Sequence, residues 1–432
     1  MNGTDTLIVM ITATIVGIIT LLLVANELGK RAKLGYGGRL VLAGGLGLGV
    51  IAFSIKVGVY VYLNSLNSGD MAVFSAWKHL PPARFHHAPV VRHMTQERNQ
   101  PGFRVWQSLP TQAPAPADNP ASAAKIALGK TLFFDQRLSV DNTVSCASCH
   151  RLENGGDDDA PVSTGIRNLK GNRNAPTVLN AAFLSRLFWD GRAASLEEQA
   201  KGPLVNPVEM GMKSYAAVEQ KVRSIKSYRT AFKKVFGTEN SINIANIAKS
   251  IAAYERTLIS PQAPFDRFVN GDATALSAQQ IRGMALFDTI GCRNCHVDPT
   301  FSSAGLVKPF GTYRPFPVFP GKAFIAKYDL LVDGKQHMWR VPSLRNVAQT
   351  APYFHNGSVK TLEEAIRVMA VSQLNKRLSN HPADDISISH GAVGKTGNYR
   401  RLTLLQNQAL SDSEVDDIAA FLRSLSGELT LP

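Results

Sequence analysis

Four cysteines and two histidines carry the most specific chemistry in this sequence. Cys146-Ala-Ser-Cys149 and Cys292-Arg-Asn-Cys295 are each followed directly by a histidine, His150 and His296, and the chain has no other cysteine. Cysteines three apart on a helical turn share one face, so their thiols can add to the two vinyl groups of one haem. The next histidine then reaches the iron as its proximal ligand. A zinc knuckle would instead pool the four thiolates, and a thiol redox pair has no use for the histidine. Two intact motifs favour two covalently bound c-type haems, with His150 and His296 as proximal ligands and no cysteine left for a disulfide.

The 432 residues are 44% hydrophobic and 19% charged, which predicts a packed chain long enough for two or three domains. The net charge of +14 is spread along the sequence without a basic block. It excludes no membrane surface or acidic partner, but with no nucleic-acid motif it gives no reason to expect nucleic acid.

Leu7 to Ala25 is uncharged and almost wholly apolar, and at helical rise it reaches roughly 28 Å, close to a bilayer's hydrocarbon thickness. A cleaved signal peptide is the competing reading, weakened by the lack of Lys or Arg in Met1–Thr6. Leu40 to Leu63 is a second span, with Lys56 able to snorkel. Lys30, Arg31, Lys33 and Arg39 lie between the two spans, which puts that loop in the cytoplasm by the positive-inside rule. Everything after residue 66 then lies in the periplasm of a bacterial inner membrane, the side on which c-type haem is attached.

The expected organisation is mainly α: two tandem cytochrome-c-like haem domains preceded by a two-helix transmembrane hairpin. Residues 1–66 form the anchor, and 67–120, rich in Pro, Ala and Gln and carrying His79, His86, His87 and His93, form a partly extended tether. Residues 121–270 hold the first haem and 271–432 the second. An internal repeat supports the division. Leu128-Gly-Lys-Thr-Leu-Phe-Phe precedes the first motif and Arg282-Gly-Met-Ala-Leu-Phe the second, each read as a short amphipathic helix running into its haem motif. Ser195/Glu198, Thr361/Glu364 and Ser411/Glu414 have the spacing of capping boxes and mark helix starts.

From Ala121 onward the chain resembles the bacterial di-haem cytochrome c peroxidases. The matching strings include Leu128-Gly-Lys-Thr-Leu-Phe-Phe-Asp135, Asn174-Ala-Pro-Thr-Val-Leu-Asn180, Phe188-Trp-Asp-Gly-Arg192, Asn206-Pro-Val-Glu-Met210, Val341-Pro-Ser-Leu-Arg-Asn346 and Ala351-Pro-Tyr-Phe-His355. The resemblance implies hydrogen peroxide as substrate, reduced with electrons from a small periplasmic cytochrome c or cupredoxin. It implies Glu209 as the base that moves a proton between the peroxide oxygens, Gln199 as a polar neighbour and Trp189 as the electron conduit between haems. It also implies Met369 as the axial thioether of the second haem, with Met338 as runner-up, and a calcium ion held by Asn174, Thr350 and Pro352. A homodimer is compatible with the same resemblance.

One departure stands out. Many members carry a distal histidine about sixteen residues after the first proximal one, and it blocks the resting haem. Here Ile166 holds that place, and no histidine occurs between His150 and His296. An open first haem that needs no reductive activation is therefore expected. Two alternatives follow. One is an oxidase of the branch that matures a quinone cofactor in a partner protein, although there the second haem resembles one ligated by tyrosine, against Met369 here. The other is a membrane-tethered electron carrier with no catalytic activity.

Overall fold

Two glycines at matching places in the repeat show how each half is built. The computed structural model describes residues 105–238, 240–305, 312–379 and 409–429. Helix Ala123–Phe134 crosses helix Ile244–Glu255, and helix Ala278–Thr289 crosses helix Asp412–Arg423. At Gly129 an added Cβ would lie 1.9 Å from the Ser250 carbonyl oxygen and 2.9 Å from Tyr254 Cβ. At Gly283 it would lie 1.8 Å from the Asp417 carbonyl oxygen and 2.9 Å from Phe421 Cβ. Only glycine lets the two backbones of each pair approach this closely.

The first pair buries Leu128, Leu132, Phe133 and Tyr254. The second closes on an aromatic cluster of Phe265, Phe287, Phe301 and Phe421. Each fully buried Phe or Leu stabilises the fold by roughly 1.5–3 kcal/mol relative to exposure. Trp106 and Leu109, at the end of the expected tether, are themselves buried. Trp106 packs on Phe265 and Phe421, and the Leu109 N–H donates to Asp266 at 2.8 Å. Asp266 also forms a buried two-point ion pair with Arg345.

The rest is mainly helical as expected. The named strands are β1 (Tyr313–Phe316) and β2 (His337–Arg340), an antiparallel pair with Arg314 opposite Trp339. Ser195, Thr361 and Ser411 each cap a helix by accepting the N–H three residues on. The reciprocal half of the box forms only at Ser411/Glu414. Glu198 bonds the Ala194 N–H instead, and Glu364 turns to Lys327 and Tyr328.

The repeat helices do not run straight into their motifs. Ala123–Phe134 stops at Asp135, whose carboxylate takes the Arg137 N–H and starts a separate turn. Ala278–Thr289 stops before Gly291, at φ +99°. Among the described residues no helix is long and apolar enough to cross a membrane. The spans expected at Leu7–Ala25 and Leu40–Leu63, and the four tether histidines, lie outside the described residues.

Candidate active site: two haem motifs and their junction

Cys146–Cys149 forms a single helical turn capped by Ser145, and His150 follows it. The His150 ring nitrogen Nδ1 lies 3.2 Å from the Gly156 carbonyl oxygen. A carbonyl only accepts, so Nδ1 carries the proton and Nε2 keeps its lone pair for a metal. In the second motif His296 Nδ1 faces the carbonyls of Phe301 (3.1 Å) and Pro342 (3.2 Å). Burial pushes the thiols of Cys146 and Cys292 up to about 12 and that of Cys149 up to about 11. Neutral thiols suit thioether attachment and oppose thiolate chemistry. Among the described residues no group of three or more His, Cys, Asp or Glu side chains could hold a metal ion, so the motifs do not pool into a zinc site. The donor sets therefore fit two c-type haems.

Glu209 sits in a tight loop after helix Lys201–Val205. Asn206 Nδ2 donates to its carboxylate at 2.7 Å, and Asn206 Oδ1 accepts the Val208 N–H at 2.9 Å, an Asx turn. Burial raises the Glu209 carboxyl above its usual range, and the charge of Arg192 opposes that shift. Arg192 itself stacks on Phe188 at 3.5 Å and pairs with Asp190. Gln199 ends helix Leu196–Gln199, half-buried. Ile166 is buried, and its N–H donates to the Glu209 carbonyl oxygen at 3.0 Å.

The two halves meet through reciprocal loops. Asn174 donates its N–H to the His355 carbonyl at 2.9 Å, and Arg340 donates its own to the Trp189 carbonyl at 3.0 Å. Phe188 and Phe354 both take a positive φ, +64° and +69°, so Trp189 and His355 are structural counterparts. Their rings lie 6.3 Å apart. Asn180 and Asn346 match in the same way, and both bond the Ser260 hydroxyl. Trp189 Nε1 donates to the Asn174 carbonyl at 2.9 Å.

Asn174 Nδ2 donates to the Ala160 carbonyl oxygen at 2.9 Å. Gly155, after the first motif, lies beside Gln349 and Thr350, and half-buried Pro352 follows two residues on. Met369 is half-buried on helix Leu362–Leu374. Past the end of that helix, Lys376 acts electrostatically on the Cys292 thiol. Met338 on β2 is 53% exposed.

Residues 123–274 match the family model described as di-haem cytochrome c peroxidase. The chain is 40% identical over 299 residues to cytochrome c551 peroxidase of Pseudomonas aeruginosa, covering 67% of this chain and 85% of that one. The chain belongs to the bacterial di-haem cytochrome c peroxidase family. That makes it an oxidoreductase of the haem peroxidase class, and two c-type haems go with the family. Cytochrome c peroxidase Ccp of Escherichia coli is 41% identical over 296 residues, 67% of this chain and 60% of that protein's length. A solved structure, a MauG-like protein associated with microbial copper homeostasis, superposes with a TM-score of 0.57 at 29% identity, over 77% of this chain and 95% of the other. The peroxidase family and its MauG-like branch thus share this fold.

Asn206 and the Gly156 carbonyl escaped the sequence reading. The Asn-Pro pair before Glu209 was a visible turn signal, whereas nothing local marks Gly156 as the orienting acceptor. The equivalence of Asn174-to-Asn180 with Arg340-to-Asn346 was also legible, in the paired Pro176 and Pro342, and it links the two halves.

Proposed function

We propose that the protein reduces hydrogen peroxide to water at the first haem, drawing electrons from a small periplasmic cytochrome c or cupredoxin through the second. The observation that carries this is the pairing of a half-buried, Asn206-oriented Glu209 with a loop that offers Ile166 in place of a ligating histidine. A haem held through His150 would supply the redox-active iron for reducing the peroxide O–O bond. Glu209, raised by burial, takes a proton from one peroxide oxygen and returns it to the other, so that water is the leaving group. Asn206 fixes the carboxylate for that transfer, and Gln199 adds a polar contact. The apolar wall of Ile166, Val140 and Met210 limits water. Trp189, held by Asn174, carries electrons between the halves.

Met369, half-buried on its helix, would supply the thioether to the iron of a second haem, since Met338 is 53% exposed. Asn174, Thr350 and Pro352 hold calcium at the junction. The haem domains, 121–270 and 271–432, lie in the periplasm, anchored to the inner membrane by residues 1–66.

The test is peroxide consumption by the haem-loaded, fully oxidised chain supplied with a reduced small cytochrome. Turnover without prior reduction is expected. Oxidation of a partner protein's tryptophans without cytochrome-supported turnover would instead place the chain in the cofactor-maturing branch, and haem reduction with no peroxide loss would leave an electron carrier.

A further inference from the structure

Trp339 has no part in the path from donor to peroxide, yet it adjoins that path. Its ring lies edge-on to Trp189, centroids 6.1 Å apart. It stacks on His355 at 4.8 Å and meets His337 at 4.5 Å. Trp339 is buried, whereas His337, two residues before it on β2, is exposed. The rings thus run from the junction of the two halves to solvent, each in van der Waals range of the next. Indole is the most readily oxidised of these side chains, so Trp339 is the one that could exchange an electron with Trp189.

We propose that Trp339, beneath His337, forms a second electron entrance to Trp189, used by small one-electron reductants of the ascorbate class. This rests on the peroxidase reading, because peroxide supplies the oxidising equivalent. When peroxide has removed one electron from Trp189, Trp339 returns one, leaving its own indole as a cation radical. Ascorbate at His337 then gives Trp339 one electron and releases one proton to water. Neither indole loses a proton. Trp189 Nε1 donates to the Asn174 carbonyl, which is not a base. Trp339 Nε1 is buried without a hydrogen-bond partner. Arg173 lies over the Trp339 ring at 5.4 Å and disfavours positive charge there, so a reductant quickly clears oxidation from Trp339, and without one the oxidised ring reacts further.

The experiment treats the haem-loaded full chain with peroxide, without donor, and maps oxygen addition by peptide mass spectrometry. Met338, 53% exposed, is oxidised by bulk peroxide and serves as internal standard. Oxygen addition to Trp339 is expected, suppressed by ascorbate and lost in Trp189→Phe while Met338 oxidation persists. In Trp339→Phe, which keeps a ring in the core, oxygen addition should fall on Trp189, and ascorbate should no longer suppress it. Trp339 oxidised equally in Trp189→Phe, or unoxidised in wild-type protein that does consume peroxide, overturns the entrance. Wild-type protein that consumes no peroxide, even with a reduced cytochrome, overturns the peroxidase reading beneath it.

Discussion

Ile166 donates its backbone N–H to the Glu209 carbonyl oxygen at 3.0 Å, so the loop that would carry a blocking histidine and the segment that carries the candidate base are one unit. Glycines make the contact possible. A Cβ on Gly165 would lie 1.9 Å from the Val208 carbonyl oxygen, and one on Gly211 would lie 2.2 Å from Ile166 Cδ1. The loop that replaces the distal histidine is therefore packed into the core beside Glu209.

Replacing Glu209 by Gln keeps the shape and removes the base. Peroxide turnover should fall about 10²- to 10⁴-fold, with haem content and reduction by dithionite unchanged in the absorption spectrum. Asn206→Ala should give a smaller loss in the same assay, because it disorients a carboxylate that is still present.

The pH profile should carry the Glu209 signature. A base works ionised, so turnover falls as pH drops through its folded-state pKa. Burial raises that pKa, which places the acid limb above that of an ordinary carboxylate. Arg192 opposes the rise, so Arg192→Gln should move the limb to higher pH. Stopped-flow peroxide decay across pH reads both, and a limb unmoved by that substitution would count against Glu209 as the titrating group.

Much of this site was legible in the sequence, and the reason is chemical. Cys-x-x-Cys-His is a contiguous donor set, so Cys146 to His150 and Cys292 to His296 declare themselves wherever they fold. Gly129 and Gly283 declared the repeat, although only the structure gives its cause, the helix crossings at Ser250 and Asp417. Long-range partners left no local mark. The reciprocal bonds of Asn174 to His355 and of Arg340 to Trp189 join segments far apart in sequence. The aromatic contact of Trp189 with Trp339 depends on the same junction.

Two glycines with positive φ separate backbone strain from crowding. Gly237, at φ +82°, has nothing within 4 Å of an added Cβ, so Gly237→Ala should cost about 1–2 kcal/mol from the left-handed conformation alone. Gly211→Ala, at φ +68° with Ile166 in the way, should cost more than Gly237→Ala in thermal unfolding. It should also perturb the spectrum of the first haem, which Gly237→Ala leaves unchanged.

The Asp266–Arg345 pair is buried at both ends, with side chains 2% and 0% exposed. Asp266→Asn removes the two-point partner of Arg345 and leaves Asp298 as the remaining acidic group acting on it in the core, at a cost of about 3–5 kcal/mol. Denaturant unfolding of the haem-loaded chain measures it, and a change under 1 kcal/mol would show that water reaches Arg345.

The most direct test is the resting-state EPR spectrum of the fully oxidised, haem-loaded protein. With Ile166 where a histidine would bind, the first haem should give a high-spin ferric signal before any reduction. A first haem that is wholly low-spin, with the signature of two histidine ligands, would contradict the account.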